Sequence, residues 1–404
     1  MKHLPVHLVM AVFLSVPRPV EAGGMTETLP RGGWLVDVAF YLSQLSHRYD
    51  DDGELRPLLP EIDRYEPGGG YQGTIVPDAT VEYGVLGIQL QYGILDNLSL
   101  GIGVPVVLYN TIEPSLSWRT GDYLPQVGRA YSGEDFWGWA ESMGQPKPGN
   151  WRGNVGVLSD VLVGLRYRFS DHFGVMAQSQ WALALSIYGA LPTGTPPDPE
   201  AIVAAGTTSW DLHSQGELAF HLSLHRFFEQ HLGDRFILSL DLFYEIFFRH
   251  EYDTPRGAKN PLLLNYRPYV GQTYTIDPGD FWGGSFQISM IPLYGPTLAS
   301  WLVQGELERA KKLPPLFSLS VRYTHVQILP SDWQSNSAIW DSQQEDNWGP
   351  GHKNILSAEL QVSFLRLGAP LILYARYRNL SLGGRNSRAA EIWTFGTRIP
   401  AKFW

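Results

Sequence analysis

Between Leu98 and Tyr109 the chain alternates with a period of two, which no helix can present as two clean faces. Leu98, Leu100, Ile102, Val104, Val106 and Leu108 fall on one side of an extended strand. Ser99, Gly101, Gly103, Pro105, Val107 and Tyr109 fall on the other. Ser159 to Phe169 repeats the pattern, with Val161, Val163, Leu165, Tyr167 and Phe169 opposite Asp160, Leu162, Gly164, Arg166 and Arg168. Arg235 to Arg249 does so again: Phe236, Leu238, Leu240, Leu242, Tyr244, Ile246 and Phe248 oppose Arg235, Ser239, Asp241, Glu245 and Arg249, with Ile237, Phe243 and Phe247 interspersed. One face needs oil, and the other needs water or partners.

Comparable segments are expected at 33–46, 79–92, 174–190, 209–227, 281–290, 316–329, 354–365, 371–380 and 390–404. That makes about twelve strands, many longer than the roughly 5–6 residues usual in soluble sheets. A tilted strand crosses the hydrocarbon in about 9–11 residues. The connections alternate in length. Gly93 to Asn97, Ser170 to His172, Gln230 to Asp234 and Leu365 to Pro370 are short, whereas 47–78, 110–154, 192–208, 251–280 and 330–353 are long. Short periplasmic turns and long outer loops are the asymmetry of outer-membrane barrels, and an even strand count puts both termini on the periplasmic side. Thr297 to Lys312 departs from the rule. Leu298, Trp301, Leu302, Gly305, Leu307 and Glu308 read as a short amphipathic helix at the periplasmic surface, ended by Pro314-Pro315, although the segment also fits a strand.

Composition agrees. Charged residues are 17%, against about a quarter in soluble domains, while aromatics reach 13% and glycine numbers 42. A mean hydropathy of -0.14 is too low for a helical membrane protein. There is no cysteine, which excludes a disulfide scaffold, a thiol nucleophile and Cys-type zinc sites. A net charge of -10 gives no basic footprint for nucleic acid. Lys2, the apolar stretch Leu4 to Val16 and Val20-Glu21-Ala22 form a signal-peptide pattern with cleavage expected after Ala22, leaving 23–404 as the barrel. Trp34, Tyr92, Tyr109, Phe169, Phe173, Phe227, Phe228, Trp393 and Phe403 fall near expected strand ends, as girdle aromatics do. The alternative is ordinary ring packing in a β-sandwich. The terminal Trp404 fits the signal read by the barrel-assembly machinery.

Alternation nominates the lining of the interior. Gln89, Gln91, Asp160, Arg166, Arg168, Gln178 and Gln180 come first, then Glu217, His221, Asp241, Glu245 and Arg249. Arg322, Glu359, Gln361, Arg376, Arg378 and Arg398 extend the set. A lining of one sign would mark an ion-selective pore; this mixed one reads first as a ladder of ion pairs that narrows the barrel.

Other chemistry is weaker. His213 and Ser214 are adjacent on a strand and point to opposite faces, so the imidazole does not serve the hydroxyl. His221 and His225 share a face but stand roughly 13 Å apart at strand rise, too far for one metal ion. Asp50-Asp51-Asp52-Gly53-Glu54 lacks the full ligand pattern of a calcium loop and reads as solvated loop near lipopolysaccharide. The loop 110–154, rich in Trp118, Tyr123, Tyr131, Phe136, Trp137, Trp139 and Trp151, is expected to form a cap, an entry site, a plug or simply a self-packed cluster. No cofactor and no catalytic residue are expected.

Three stretches carry a resemblance. Tyr92-Gly93-Ile94-Leu95-Asp96-Asn97-Leu98-Ser99-Leu100-Gly101-Ile102-Gly103-Val104-Pro105 is similar to a first turn of the form YGLTDRLELGVxxP, and Ser159 to Phe169 to a GDLxLGxKYRF strand. Ala190-Leu191-Pro192-Thr193-Gly194, followed by Gly206-Thr207-Thr208-Ser209-Trp210-Asp211, resembles an xLPTG…GTGSxD pair. These are features of the phenol-degradation meta-pathway outer-membrane proteins, over roughly residues 80 to 225. Ser159 stands where that family has glycine, and the second loop is unusually long. The resemblance implies an up-and-down barrel in the outer membrane of a Gram-negative bacterium, passing small hydrophobic or aromatic solutes. A structural or adhesive barrel, and more remotely a lipid hydrolase, are the alternatives. The partners implied are outer-membrane lipids with lipopolysaccharide, the assembly machinery and a small solute.

Overall fold

The computed structural model describes residues 26–58, 61–65, 70–124, 128–142, 151–152, 157–173, 181–191, 193–194, 222–232, 236–253, 271–293, 315–338, 341–342, 345, 349–380 and 382–402. Among these, twelve long strands form one antiparallel ring: β1 Gly33–Tyr49, β2 Tyr71–Leu95, β3 Leu98–Thr120, β4 Val161–Arg168, β5 Trp181–Leu191 and β6 Leu222–Leu232. The second half comprises β7 Phe236–Ile246, β8 Phe281–Leu293, β9 Phe317–Ile328, β10 Gly351–Ser363, β11 Ile372–Asn379 and β12 Ser387–Lys402. Each pairs with the next in the chain, and β12 returns to β1 along its length, from Gly33↔Lys402 to Tyr49↔Ser387. Closure leaves no unpaired edge, which is the condition for strands to cross lipid.

The side chains are distributed inside out. On β7, Leu240 and Leu242 are exposed while Ser239 and Asp241 are buried. On β12, Trp393, Phe395 and Ile399 are exposed while Thr394 and Arg398 are buried. Leu, Ile, Phe and Trp on the outer surface of a ring of polar interior residues describe a barrel solvated by lipid rather than water. The chain is a transmembrane β-barrel.

The alternation expected for Leu98 to Tyr109 holds up to Leu108, where a bulge shifts the register between Gly84↔Tyr109 and Val85↔Val107. Tyr109 therefore lies over Gly84 on the outer face, where a Cβ would come within 2.2 Å of its ring, and Asn110 takes the interior side. Of the strand expected at 209–227, residues 222–227 fall in the observed Leu222–Leu232, which continues five residues farther than expected, and 209–221 lie outside the described residues. Also outside them are 1–25, the segment 297–312, His213, Ser214, Phe403 and Trp404. At the periplasmic ends of β1 and β2, Trp34 and Tyr92 pack with ring centroids 4.5 Å apart. Trp393 sits farther inside the band, 4.6 Å from Tyr377 and 6.3 Å from Phe395.

β2 and β3 have 25 and 23 residues. At strand rise, β2 extends about 80 Å, far beyond an apolar band about 25 Å tall. The tight turn between them is periplasmic, so the excess projects outward and takes up Ile62–Tyr65 as a further strand. The second long loop carries the described α-helix, α1 Gly133–Ser142, and its aromatics pack on one another. Trp118 stacks on Phe136 at 4.9 Å and donates from Nε1 to the Tyr131 carbonyl at 3.0 Å. Above the other side, His250–Asp253, Thr273–Asp277 and Asp332–Gln334 make a small outer sheet.

Candidate functional site

The interior is organised by which inward positions of β1 and β9 to β12 share a level. Asp37, the inward residue of β1 between Val36 and Val38, is the cross-strand partner of Arg398 on β12. Arg398 donates from Nε to Asp37 Oδ2 at 3.1 Å and from Nη1 to Gln361 Oε1 at 2.9 Å, with Glu359 Oε1 at 3.5 Å. The Arg376 guanidinium holds Glu359 by a 2.7 Å hydrogen bond from Nε and a second contact from Nη2. Tyr374 donates to Asp37 Oδ1 at 2.8 Å, and its ring lies 4.0 Å from the Arg398 guanidinium carbon. That ring rests on Gly396, where a Cβ would stand 2.4 Å from it. Both Arg398 and Asp37 are only 3% exposed, so the pair is tied by bonds rather than screened by solvent.

One level outward, Gln287, Arg322, Ser357 and Arg378 form a row across β8 to β11. Arg322 donates from Nε to Gln287 Oε1 at 2.8 Å. These four, with Ser320, Glu359 and Arg376, line a cavity of about 20 Å³. Such a volume is roughly one water's worth.

The neighbouring wall around β7 is different. Asp241 accepts from Ser285 Oγ at 3.3 Å, and Glu245 accepts from the Tyr188 hydroxyl at 2.8 Å. Arg322, Arg376, Arg378 and Arg398 thus stand on β9 to β12 and Arg166 on β4, whereas these two carboxylates stand on β7. Farther outward an apolar cluster stands on each side. Ala39, Tyr41, Leu45, Val81, Tyr83, Val85 and Val107 pack with Leu58, which the first loop folds in by a 3.0 Å bond from its N–H to the Ser46 carbonyl. Across from them Phe243, Phe247, Phe281, Val326 and Ile328 cluster, with Ile355 against them.

The residues expected from alternation divide into three groups. Gln89, Gln91, Asp160, Arg166, Asp241 and Glu245 are buried on the interior face. Arg168 is not in the interior: it grips Asp171 in the periplasmic turn with a 2.8 Å bond, because the strand ends at that residue. Arg249 is not there either. It lies beyond the outer end of β7, exposed, paired with Asp332 and 3.3 Å from Gln334 Oε1 in the outer sheet. Gln178, Gln180, Glu217 and His221 lie outside the described residues. Asp37, Tyr374, Gln287, Ser320 and Ser357 were not anticipated.

Arg166 is also covered. It donates to Ser186 Oγ at 2.9 Å and to the Glu27 carbonyl at 3.4 Å. Residues 26–32 form a strap at the periplasmic mouth, held by Leu29 N–H to Ser99 Oγ at 2.8 Å, Arg31 N–H to Asp96 Oδ1 at 2.9 Å and Gly32 N–H to the Gly93 carbonyl at 2.8 Å.

Outside the membrane, the Asp50 carboxylate accepts from the Asp52 and Glu54 amides and from Arg56. Those backbone bonds, the Glu54 one foremost, hold its pKa below the ordinary aspartate value. Its neighbours Asp51 and Asp52 bring their carboxylates within 4.8 Å of it. The lone pairs of Asp50 are already committed to closing the turn.

No family model matches the chain, and no curated protein matches it. Among solved structures it is similar to the COG4313 outer membrane channel from Pseudomonas putida F1, with 12% identity and a TM-score of 0.54 over 94% of this chain and 99% of that one. The KdgM porin aligns over 90% of this chain and 98% of its own, at 7% identity and a TM-score of 0.32. A Pseudomonas aeruginosa FadL homologue does so over 92% and 90%, at 11% and 0.30. At 12% identity the first likeness is one of fold. With the lipid-facing exterior and the closed ring, it makes this chain an outer-membrane β-barrel.

Proposed function

We propose that the barrel is a channel, not an enzyme, through which small organic solutes with an apolar or aromatic body diffuse across the outer membrane of a Gram-negative bacterium. One observation carries the reading: two apolar patches, one around Tyr41 and Tyr83 and one around Phe243 and Phe281, stand on the outer side of a belt of hydrogen-bonded charges. Such an interior sets apolar surface beside polar groups, with Glu245 between Phe243 and Phe247 and Lys353 over the Phe281 ring. The resemblance of 80–225 to the phenol-degradation meta-pathway proteins supports the same solute class. In this reading Gln89, Gln91, Arg166, Asp241 and Glu245 line the path. Residues 1–22 direct export, and the terminal aromatic serves recognition by the assembly machinery. Twelve strands lie between the side-chain-filled small barrels and the open 16–18-stranded porins, so the path is narrow.

The test is flux. Purified protein in liposomes is expected to admit small aromatic solutes by swelling, and to give small unitary currents in planar bilayers. A second reading, a structural barrel without transport, is favoured by the strap and by Leu58, which occupy interior space. No swelling with any small solute and no current would establish that reading instead.

A further inference from the structure

On their lipid-facing sides, β9 and β10 change chemistry toward the outer end of the barrel. β9 presents Leu319, Val321 and Tyr323 to lipid and then, with the same parity, His325 and Gln327. β10 presents Leu360 and Leu356 and then Asn354 and His352. Two adjacent strands that turn from aliphatic to polar, with a tyrosine at the boundary, mark the headgroup level of the outer leaflet. Two histidines meet there. Their register is diagonal, His325↔Asn354 and Gln327↔His352, and their ring centroids stand 5.8 Å apart with planes inclined at 32°.

Asn354 decides which nitrogen of His325 is available. Its Nδ2 donates to the Gly383 carbonyl at 3.2 Å, which identifies the oxygen end of the amide. That oxygen accepts from the Tyr323 hydroxyl at 2.8 Å and faces His325 Nδ1 at 2.9 Å. A ring nitrogen facing a carbonyl oxygen at this distance carries the hydrogen, so the neutral His325 ring presents its lone pair at Nε2. An Nδ1–H held by an oxygen is the arrangement that orients a metal-binding imidazole. Gln327 donates from Nε2 to the Gly351 carbonyl at 2.9 Å, so the other end of its amide is an oxygen on the same face. Two imidazoles on one tetrahedral ion, with bonds of about 2.0–2.1 Å, keep their ring centres roughly 5–5.5 Å apart. The observed 5.8 Å is a small side-chain rotation away. Of the nearby cations, Lys353 turns inward over the Phe281 ring, while Arg385 pairs with His352 from the side away from His325.

We propose that His325 and His352 bind a divalent transition-metal ion of the zinc or copper class on the outer rim of the barrel, with Asn354 positioning the first imidazole and the Gln327 amide oxygen and water completing the coordination. Imidazole donors suit zinc, copper and nickel, whereas magnesium and calcium call for sets of oxygens. Arg385 opposes the ion by charge. The site is independent of the channel reading.

The experiment uses the full mature chain without an affinity tag, folded in detergent and stripped of metal. Calorimetric titration with zinc chloride is expected to give one ion per barrel, with magnesium and calcium unable to compete. With copper(II), which such donors bind more tightly than zinc, the electron paramagnetic resonance spectrum should show coupling to two imidazole nitrogens. His325→Asn and His352→Asn should each lower zinc affinity at least tenfold. Asn354→Leu should lower it about tenfold with both imidazoles still present, and Arg385→Gln should raise it severalfold. Heat-modifiability gels check that each variant is folded, and the copper spectrum of the unaltered chain judges the site even where a variant is not. Zinc binding undiminished when both histidines are replaced, or a copper spectrum showing one nitrogen or none, overturns the site. Zinc affinity untouched by Asn354→Leu overturns the positioning role. Binding of inorganic phosphate without binding of zinc, lost in Arg385→Gln, overturns the metal in favour of an anion at the same rim.

Discussion

Arg398 joins three strands that are far apart in sequence. Asp37 comes from the first strand, Glu359 and Gln361 from the tenth, and the arginine itself from the last, so the bonds span the place where the ring closes. Removing one member of a buried ion network leaves the others charged and unpartnered, a loss of about 3–5 kcal/mol. Arg398→Leu should therefore lower the unfolding midpoint of the barrel, read as the temperature at which its compact form is lost in heat-modifiability gels. Asp37→Asn added to it should recover part of the loss; an unchanged midpoint in the single variant would mean that water, not Arg398, satisfies the two carboxylates. Gly396→Ala should act on the same network from behind, because its Cβ would meet the Tyr374 ring and displace the hydroxyl that Asp37 accepts from. Arg376, Arg398 and Glu359 could be nominated from alternation, since Arg376 and Glu359 stand between less polar neighbours and Arg398 precedes Ile399 in an alternating run. That they meet could not, because register between strands is set by both partners and by turns, not by either strand alone. Asp37 escaped notice for a related reason: its face of β1 also carries Leu35, Ala39, Tyr41 and Leu45, so one carboxylate did not make that face look polar.

At the scale of elements, the strands were readable where the two faces differ in chemistry, as in β3, β4 and β7. The second long loop was not, because glycines and bulky rings obscure α1 in its hydrophobic pattern. Its start is nevertheless written locally. Ser132 Oγ accepts from the Asp135 amide at 3.3 Å, and Asp135 Oδ2 accepts from the Ser132 amide at 2.7 Å, a capping box with aspartate in the place of glutamate. Ser132→Ala should weaken this helix by about 1 kcal/mol, seen as faster hydrogen exchange of residues 133–142 with the barrel strands unaffected. Acid should do the same without a mutation. The Arg129 guanidinium and the Ser132 groups hold the Asp135 carboxyl well below the ordinary aspartate range. A carboxylate with a depressed folded-state pKa contributes stability that is complete above its unfolded value, about 3.9, and fades as pH falls through the folded one. Exchange in α1 should accordingly be steady from neutral pH down to about 4 and accelerate below it, once corrected for intrinsic rates. Arg129→Gln should speed exchange in α1 at neutral pH and flatten its acceleration below about pH 4, and an acid dependence left unchanged by the substitution would show that the ion pair does not hold the helix.

For the whole molecule, the even number of strands and the alternation of short and long connections already required that the ends of the barrel meet on one side, and β1 and β12 do meet. Nothing in a periodicity announces what runs before the first strand, and there the interior is altered most. Residues 26–32 lie across the periplasmic ends of β2 to β4, with Thr26 buried, the Glu27 carbonyl on Arg166 and the Thr28 hydroxyl donating to the Asp96 carbonyl at 2.8 Å. The strap passes so near β2 that a Cβ on Gly93 would stand 2.1 Å from the Pro30 carbonyl oxygen. Its hold is mostly backbone to polar side chain, a set of bonds each worth about 1 kcal/mol net, so it can be dislodged without unfolding the ring, whose closure involves other residues. Deleting 26–31 from the exported chain should uncover Arg166 and raise the unitary conductance several-fold, with the heat-modifiable form retained. Gly93→Val should reproduce the increase by steric exclusion while leaving every residue of the strap in place. If both variants conduct like the parent, the strap lies off the solute path and the narrowest point is the Arg398 belt; if only the deletion conducts more, the valine has been absorbed by a shift of Pro30 rather than by release of the strap, which cross-linking of Leu29→Cys to Ser99→Cys in the Gly93→Val background would reveal as undiminished.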